Sequence, residues 1–245
     1  MAAAVSTVIK TLSSIRFLDF SPDLMRRPSM PGQIVLSDRG ENLSSVLQAI
    51  CEDSQSKEAL SHWLQELTPM DVQDFKFEPD AAGKILISLG EKVRAREGWI
   101  SANSASDGTL RFLGVLAALL GPKPAELYFL EEIDNGIHPA RLALLMDLLE
   151  NQSRSKGIQI VASTHSPQVL RLIQPQDLKY ATLAYRLRGH REGRLKPVPE
   201  IPNLLEMARN KDIARLHESA WMERTLEFTE GSPEQFPIDE EGAAP

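Results

Sequence analysis

The chain has one cysteine in 245 residues, so no disulfide forms within it, and a reducing cytoplasm is the natural setting. Cys51 has no His or Cys neighbour at metal-ligand spacing, and its expected role is a buried core side chain. No apolar run approaches the roughly 18 residues that a membrane span needs, which excludes an integral helical membrane protein. The opening MAAAVSTVIK has no basic residue ahead of its short apolar part, so it does not read as a secretory signal. The net charge of −7 argues against a generally basic nucleic-acid binder while leaving room for a local basic groove. There is no internal repeat. A hydrophobic content of 42% is enough for a real core.

The residues up to about Pro79 are irregular. SIRFLDFSP alternates Ile15 and Phe17 as a short strand does, and PDLMRRPSMPG is a proline-rich loop. Leu43, Val46, Leu47 and Ile50 share one helical face, as do Leu60, Trp63, Leu64 and Leu67. Arg39 and Glu41 flank a glycine and read as turn and helix-start residues. VQDFKFE and KILISLGEK predict two strands of a hairpin turned by DAAG.

From about Ile100 the pattern changes. SANSASDG leads into the apolar helix TLRFLGVLAALLG, then the strand AELYFL, an acidic turn, and the helix PARLALLMDLLENQSRSKG. The strand IQIVAST and the helix HSPQVLRLI follow. Short apolar strands alternating with helices predict parallel α/β layering. Beyond Pro175, LKYATLAYRL and GRLKPV predict an edge hairpin around RGHREG. IPNLLEMARN and IARLHESAWMERTLEF predict terminal helices, and residues 229–245 an acidic, disordered tail.

Three segments carry chemistry. In LYFLEE an apolar strand ends in Glu131 and Glu132, where an α/β sheet presents its ligands; one acid suits a metal and the other a water. In SASDGTLR, Ser106 or Asp107 caps a helix and Gly108 permits close approach, so the helix start is a candidate anion site. In IVASTHSP, His165 follows a core strand, where a histidine either caps structure or touches a phosphate. Each segment also has an ordinary structural explanation; their conjunction in this order does not.

That conjunction resembles the carboxy-terminal half of an ABC-type ATPase head, in the branch of AAA-type ATPases that holds the RecF, SMC and overcoming-lysogenization-defect proteins. Those proteins show SDGTLR, EEPENGLHP and THSP where this chain reads SDGTLR, EEIDNGIHP and THSP. The likeness is strong from about Asn103 to Leu172. It implies a P-loop NTPase-like fold of layered sheet and flanking helices, with a small β-hairpin and helical insert. One partial ATPase domain would cover residues 1–228, with the insert in 1–99, the core in 100–190 and terminal helices in 191–228.

The resemblance assigns roles residue by residue. Ser106, Asp107, Gly108 and Thr109 match the signature motif that meets the γ-phosphate on an opposite subunit. Glu131 matches the Walker B acid on Mg²⁺, and Glu132 the general base. Asn135, Gly136, Ile137, His138 and Pro139 match the D-loop, and His165 the switch histidine. Ile133 stands in place of the family's proline and Asp134 in place of its glutamate, both compatible with the turn. ATP and Mg²⁺ are the implied cofactors. The implied partners are a second copy or a separate P-loop-bearing lobe, with DNA or an effector protein as further partners in DNA maintenance or anti-phage defence. No clustered Asp-x-Asp suggests a fused TOPRIM-type nuclease.

The phosphate-binding pattern G-x-x-x-x-G-K-[ST] does not occur. The single Gly-Lys pair, Gly83-Lys84, has Glu78 at the upstream glycine position and Ile85 after the lysine. In the family that loop belongs to an amino-terminal lobe, so the sequence reads as a head lacking it: a truncated product, one half of a split protein, or a degenerate relative. Two other functions stay open at this point. One is a non-hydrolysing interaction subunit. The other is a metal-dependent hydrolase built on Glu131, Glu132 and His138.

Overall fold

A computed structural model of the chain describes residue 5 and residues 12–68, 70–93, 96–210 and 213–230. The acidic tail expected over 229–245 falls almost wholly outside these residues. The chain divides into two units, residues 1–165 and 166–245.

The first unit is built on two sheets. β1 (Ile15–Leu18), β5 (Leu127–Leu130) and β6 (Gln159–Ala162) form a parallel sheet in the order β1-β5-β6, so the strand that ends in the two glutamates is central. β2 (Val72–Pro79), β3 (Ile85–Val93) and β4 (Arg96–Ser101) form an antiparallel sheet in the order β2-β3-β4. The expected hairpin is β2-β3. Its turn is held by Asp80, whose Oδ1 accepts from Ala82 N at 2.8 Å and Lys84 N at 2.9 Å. The third strand was not legible in the sequence: its first residues are charged and lack alternation, and pairing with β3 makes it a strand.

Among the described residues this unit also contains the helices α1 (Pro22–Met25), α2 (Leu43–Cys51), α3 (Ser54–Leu67), α4 (Asp107–Leu120) and α5 (Pro139–Lys156). α4 is the apolar run, with buried residues on nearly every side, because α1, α2 and α3 all pack against it. Leu43, Leu47, Leu60, Leu64, Leu110, Leu113 and Leu116 meet in this core, none of them exposed. Cys51 lies at the end of α2, half-buried rather than in the core as expected, and burial pushes its thiol up to about 11.

Among the described residues the parallel sheet is covered on one face only. Leu18, Tyr128 and Leu130 are buried there, and the Tyr128 hydroxyl donates to Ala118 O of α4 at 2.6 Å while accepting from Ala125 N at 2.8 Å. On the other face, Phe17, Phe129 and Val161 stand in register across all three strands. Phe17 and Phe129 stack with ring centroids 4.6 Å apart, yet Phe17 is 61% and Val161 50% exposed. Parallel sheets are ordinarily covered on both faces.

The second unit contains α6 (Pro167–Leu172), the hairpin of β7 (Thr182–Tyr185) and β8 (Arg194–Pro197), and helices α7 (Leu204–Asn210), α8 (Ile213–Glu218) and α9 (Trp221–Glu230). Leu178, Leu187, Ile201, Leu204, Met222 and Leu226 belong to its core. Two expectations need correction here. The first part of LKYATLAYRL is a 3-10 turn over Pro175–Tyr180, leaving a four-residue strand. The single helix expected through IARLHESAWMERTLEF is broken at Ala220, which adopts φ +52°. Pro175 at the start of the turn and the left-handed Ala220 are the local causes.

Replacing Tyr128 with Phe removes both partners' bonds and leaves a buried N–H and carbonyl unpaired. The expected loss is about 1–3 kcal/mol in urea unfolding with the m-value unchanged.

Candidate functional site

The site begins where β5 runs out. The backbone continues the sheet for one residue, Glu131 N donating to Leu18 O at 3.0 Å. Glu132 then turns into the left-handed region at φ +46°. This departs from two acids on one extended strand: the change of direction between them comes from the turn rather than from strand alternation. Ser163, just past β6, fixes the turn. Its hydroxyl accepts from Glu132 N at 3.1 Å, its carbonyl from Ile133 N at 3.2 Å, and its own N–H donates to Leu130 O at 2.9 Å. A left-handed glutamate costs about 1–2 kcal/mol relative to an ordinary conformation, and these bonds hold it there.

The rest of the turn is tied internally. Asn135 N donates to Glu132 O at 2.9 Å, and the Asn135 amide donates to Glu132 Oε2 at 3.1 Å. Thr164 Oγ1 donates to Asp134 Oδ1 at 2.5 Å. Ile133 and Ile137 are buried while Glu131, Glu132, Asn135 and His138 are exposed, so the turn is nailed down by two isoleucines with its polar groups outward. His138 caps α5, Nδ1 accepting from Ala140 N at 3.3 Å. A ring nitrogen engaged in this way is a helix cap, which weighs against the hydrolase that used it as a metal ligand.

α4 starts against this turn. Ser106 Oγ accepts from Thr109 N at 3.1 Å and lies 2.8 Å from Thr109 Oγ1. Asp107 pairs with Arg26 at 2.6 Å, and the same guanidinium donates to Ala105 O at 3.0 Å. The decisive contact is between two glycines: a Cβ on Gly108 would stand 2.1 Å from Gly136 O. Gly136 itself adopts φ +74°. No other residue type fits at Gly108 without moving the turn.

A shallow pocket at this junction is lined by Arg111, Glu131, Glu132, Ile133, Asn135 and Ile137 over an apolar floor of Leu18, Phe20, Val115 and Leu130. Arg111 is thus the cation beside the two acids, and Arg26 is the cation beside the helix start. Sequence reasoning assigned neither; Arg111 was legible only as the last letter of SDGTLR, and Arg26 sits in a proline-rich loop with no periodicity. His165 follows Thr164, is exposed, and does not line the pocket. Ser106 to Thr109 and Glu131 to His138 are therefore brought together, and His165 stands at the neighbouring strand end.

Among the described residues no group of three or more His, Cys, Asp or Glu side chains could by itself hold a metal ion. The oxygen-only donors Glu131 and Glu132 nevertheless fit Mg²⁺, which takes one or two protein carboxylates and completes its shell with water and substrate phosphate. Their exposure at the carboxyl end of a parallel strand leaves room for that phosphate.

Two substitutions separate the turn's strain from its packing. Glu132→Gly relieves the left-handed strain and raises stability by about 1 kcal/mol, whereas Gly108→Ala lowers it by about 1–3 kcal/mol through overpacking. Chemical denaturation of the two variants beside the parent measures both; equal effects of the same sign would contradict this geometry.

Comparison with known proteins gives a family and a set of distant structures. Residues 10–171 match the family described as AAA domain, putative AbiEii toxin, Type IV TA system. No curated protein matches significantly. Similar solved structures include the Smc head domain with a coiled coil and joint derived from Pyrococcus yayanosii, at 17% identity and TM-score 0.43. Another, described under ATP-driven dimerization and DNA stimulated activation of SMC ATPases, is also 17% identical with TM-score 0.43. The Smc head bound to the C-winged helix domain of ScpA is 15% identical with TM-score 0.39. They cover 66%, 67% and 59% of this chain, which in turn spans 29%, 93% and 44% of theirs. With the matched segment taking in the central strand, the acid turn and the glycine-packed helix, the chain belongs to this AAA domain family.

Proposed function

We propose that the chain is the carboxy-terminal lobe of an ABC/SMC-like ATPase, contributing the acid pair and the signature helix to a composite ATP-hydrolysing site. One observation carries this reading. The exposed Glu131 and Glu132 end the central parallel strand in a turn locked by Ser163 and packed on the α4 start through Gly108 and Gly136. A mere strand end requires no such arrangement.

In this reading Glu131 would hold Mg²⁺, which offsets the charge of the phosphates. The water oxygen attacks the γ-phosphorus, the bond from that phosphorus to the ADP oxygen breaks, and the water proton goes to Glu132. Asn135 holds Oε2 of Glu132, which leaves Oε1 as the accepting atom. Arg111 stabilises negative charge beside the pair, and His165 contacts the phosphate from the adjacent strand. Ser106, Asp107, Gly108 and Thr109 serve the nucleotide of a dimer partner, with Asn135 and His138 of the same turn at the interface.

The phosphate cradle comes from a separate P-loop-bearing lobe. The uncovered row of Phe17, Phe129 and Val161, and the position of β6 at the edge of its sheet among the described residues, support such a lobe. Among those residues no helix is long and apolar enough to cross a membrane. By the same resemblance, the proposed setting is a cytoplasmic DNA-maintenance or defence system. A non-hydrolysing interaction subunit is the second reading, favoured by the missing G-x-x-x-x-G-K-[ST] pattern.

Mg-ATP turnover by the purified chain, alone and with a P-loop-bearing polypeptide, decides between them. The expected result is weak binding and no turnover alone, then turnover with the second polypeptide that Glu132→Gln reduces at least about 100-fold. Turnover that survives Glu132→Gln removes the general base from the proposal; turnover by the chain alone removes the second lobe.

A further inference from the structure

The chain is acidic overall, yet between Arg186 and Lys196 five arginine or lysine residues face a single glutamate, Glu192. This segment is the connection of the β7-β8 hairpin and the first residues of β8, in the second unit. Its base and its tip are held differently, and the difference matters.

At the base, the charges are used internally. Glu230 of α9 accepts from the Tyr185 hydroxyl at 2.6 Å and from Lys196 Nζ at 2.9 Å, with Arg194 at 3.5 Å. The Tyr185 hydroxyl, and next Lys196, hold the Glu230 carboxyl below the usual range. Arg194 and Lys196 thereby share one carboxylate. At the tip, Leu187 is 2% exposed in the core of the second unit and its carbonyl accepts from His190 N at 3.1 Å. The loop is therefore anchored. Arg186 and Arg188 flank the anchor, Arg191 follows the Gly189 turn at φ +78°, and all three are exposed. Among the described residues none of the three forms an ion pair, in a protein with 34 acidic side chains available to make one.

We propose that this anchored arginine loop binds the phosphate backbone of duplex DNA. Three unpaired guanidiniums within six residues, on a loop whose ordering cost is already met by Leu187, suit a partner with closely spaced phosphates. Residues 186–193 contain no Phe, Tyr or Trp on which unstacked bases would lie, which favours the duplex over a single strand. Recognition is by charge and independent of base sequence. The proposal does not rest on nucleotide hydrolysis, and its test uses no nucleotide.

The test is fluorescence anisotropy of a labelled duplex of about 30 base pairs, titrated with the full chain over 50–200 mM KCl. Binding is expected to weaken with salt. The variant Arg186→Gln/Arg188→Gln/Arg191→Gln is expected to bind at least about 10-fold more weakly at 100 mM and to lower the log–log salt slope by about three, near one for each lost phosphate contact. The variant Lys84→Gln/Lys123→Gln/Arg154→Gln removes the same charge from exposed positions elsewhere and is expected to stay within about twofold of the parent. Melting curves of both establish that they fold. No binding by the parent at 50 mM overturns the proposal, as does equal weakening in the two variants. Displacement of the duplex by polyglutamate or by single-stranded DNA at equal charge overturns the choice of duplex DNA.

Discussion

The contact of Gly108 with Gly136 is the constraint on which the candidate site depends. It lets the start of a helix and the turn after a strand approach at backbone distance, closer than any side chain would permit. Everything polar at the junction is arranged around that approach. Ser106 closes on Thr109, Asp107 is drawn aside by Arg26, and Asn135 reaches back to Glu132. The left-handed Glu132 belongs to the same economy: the site keeps an acid where glycine would be more comfortable.

A second constraint is the one-sided sheet. Tyr128 welds the covered face to α4 with two hydrogen bonds and places β5 in depth, so the acids emerge at a fixed height. The opposite face carries an exposed Phe17 stacked on a half-buried Phe129. Among the described residues the first unit is thus well packed on the side that builds the turn and bare on the other.

Much of this was legible in the sequence, for reasons that differ from place to place. The apolar period of Leu43 to Ile50 and of Leu60 to Leu67 fixed two helices, because packing against α4 rewards the same faces that the pattern displays. The order of the three chemical segments gave the helix start and the turn as neighbours. What escaped depends on partners remote in the chain. β4 is a strand because β3 is beside it. Ser163, read only as part of IQIVAST, is the peg of the acid turn through a bond to a residue 31 positions away. Arg26 reaches Asp107 across 81 positions. The break at Ala220 has no Pro or Gly to announce it; an alanine takes a conformation that its own propensity disfavours.

The bare row of Phe17, Phe129 and Val161 has a consequence for the life of the chain in a cell. An uncovered apolar row on a sheet with an open parallel edge is a template for mispairing with any extended strand that passes. Brevity is its protection: four residues in each strand offer few backbone bonds to an intruder. Protection by brevity is partial, so an orphan copy is a substrate for chaperones and proteases, and a copy that has found its cover is not. On the two-lobe reading proposed above, abundance would be set by supply of the covering lobe rather than by the chain's own synthesis, a stoichiometric control written into one face of a three-stranded sheet.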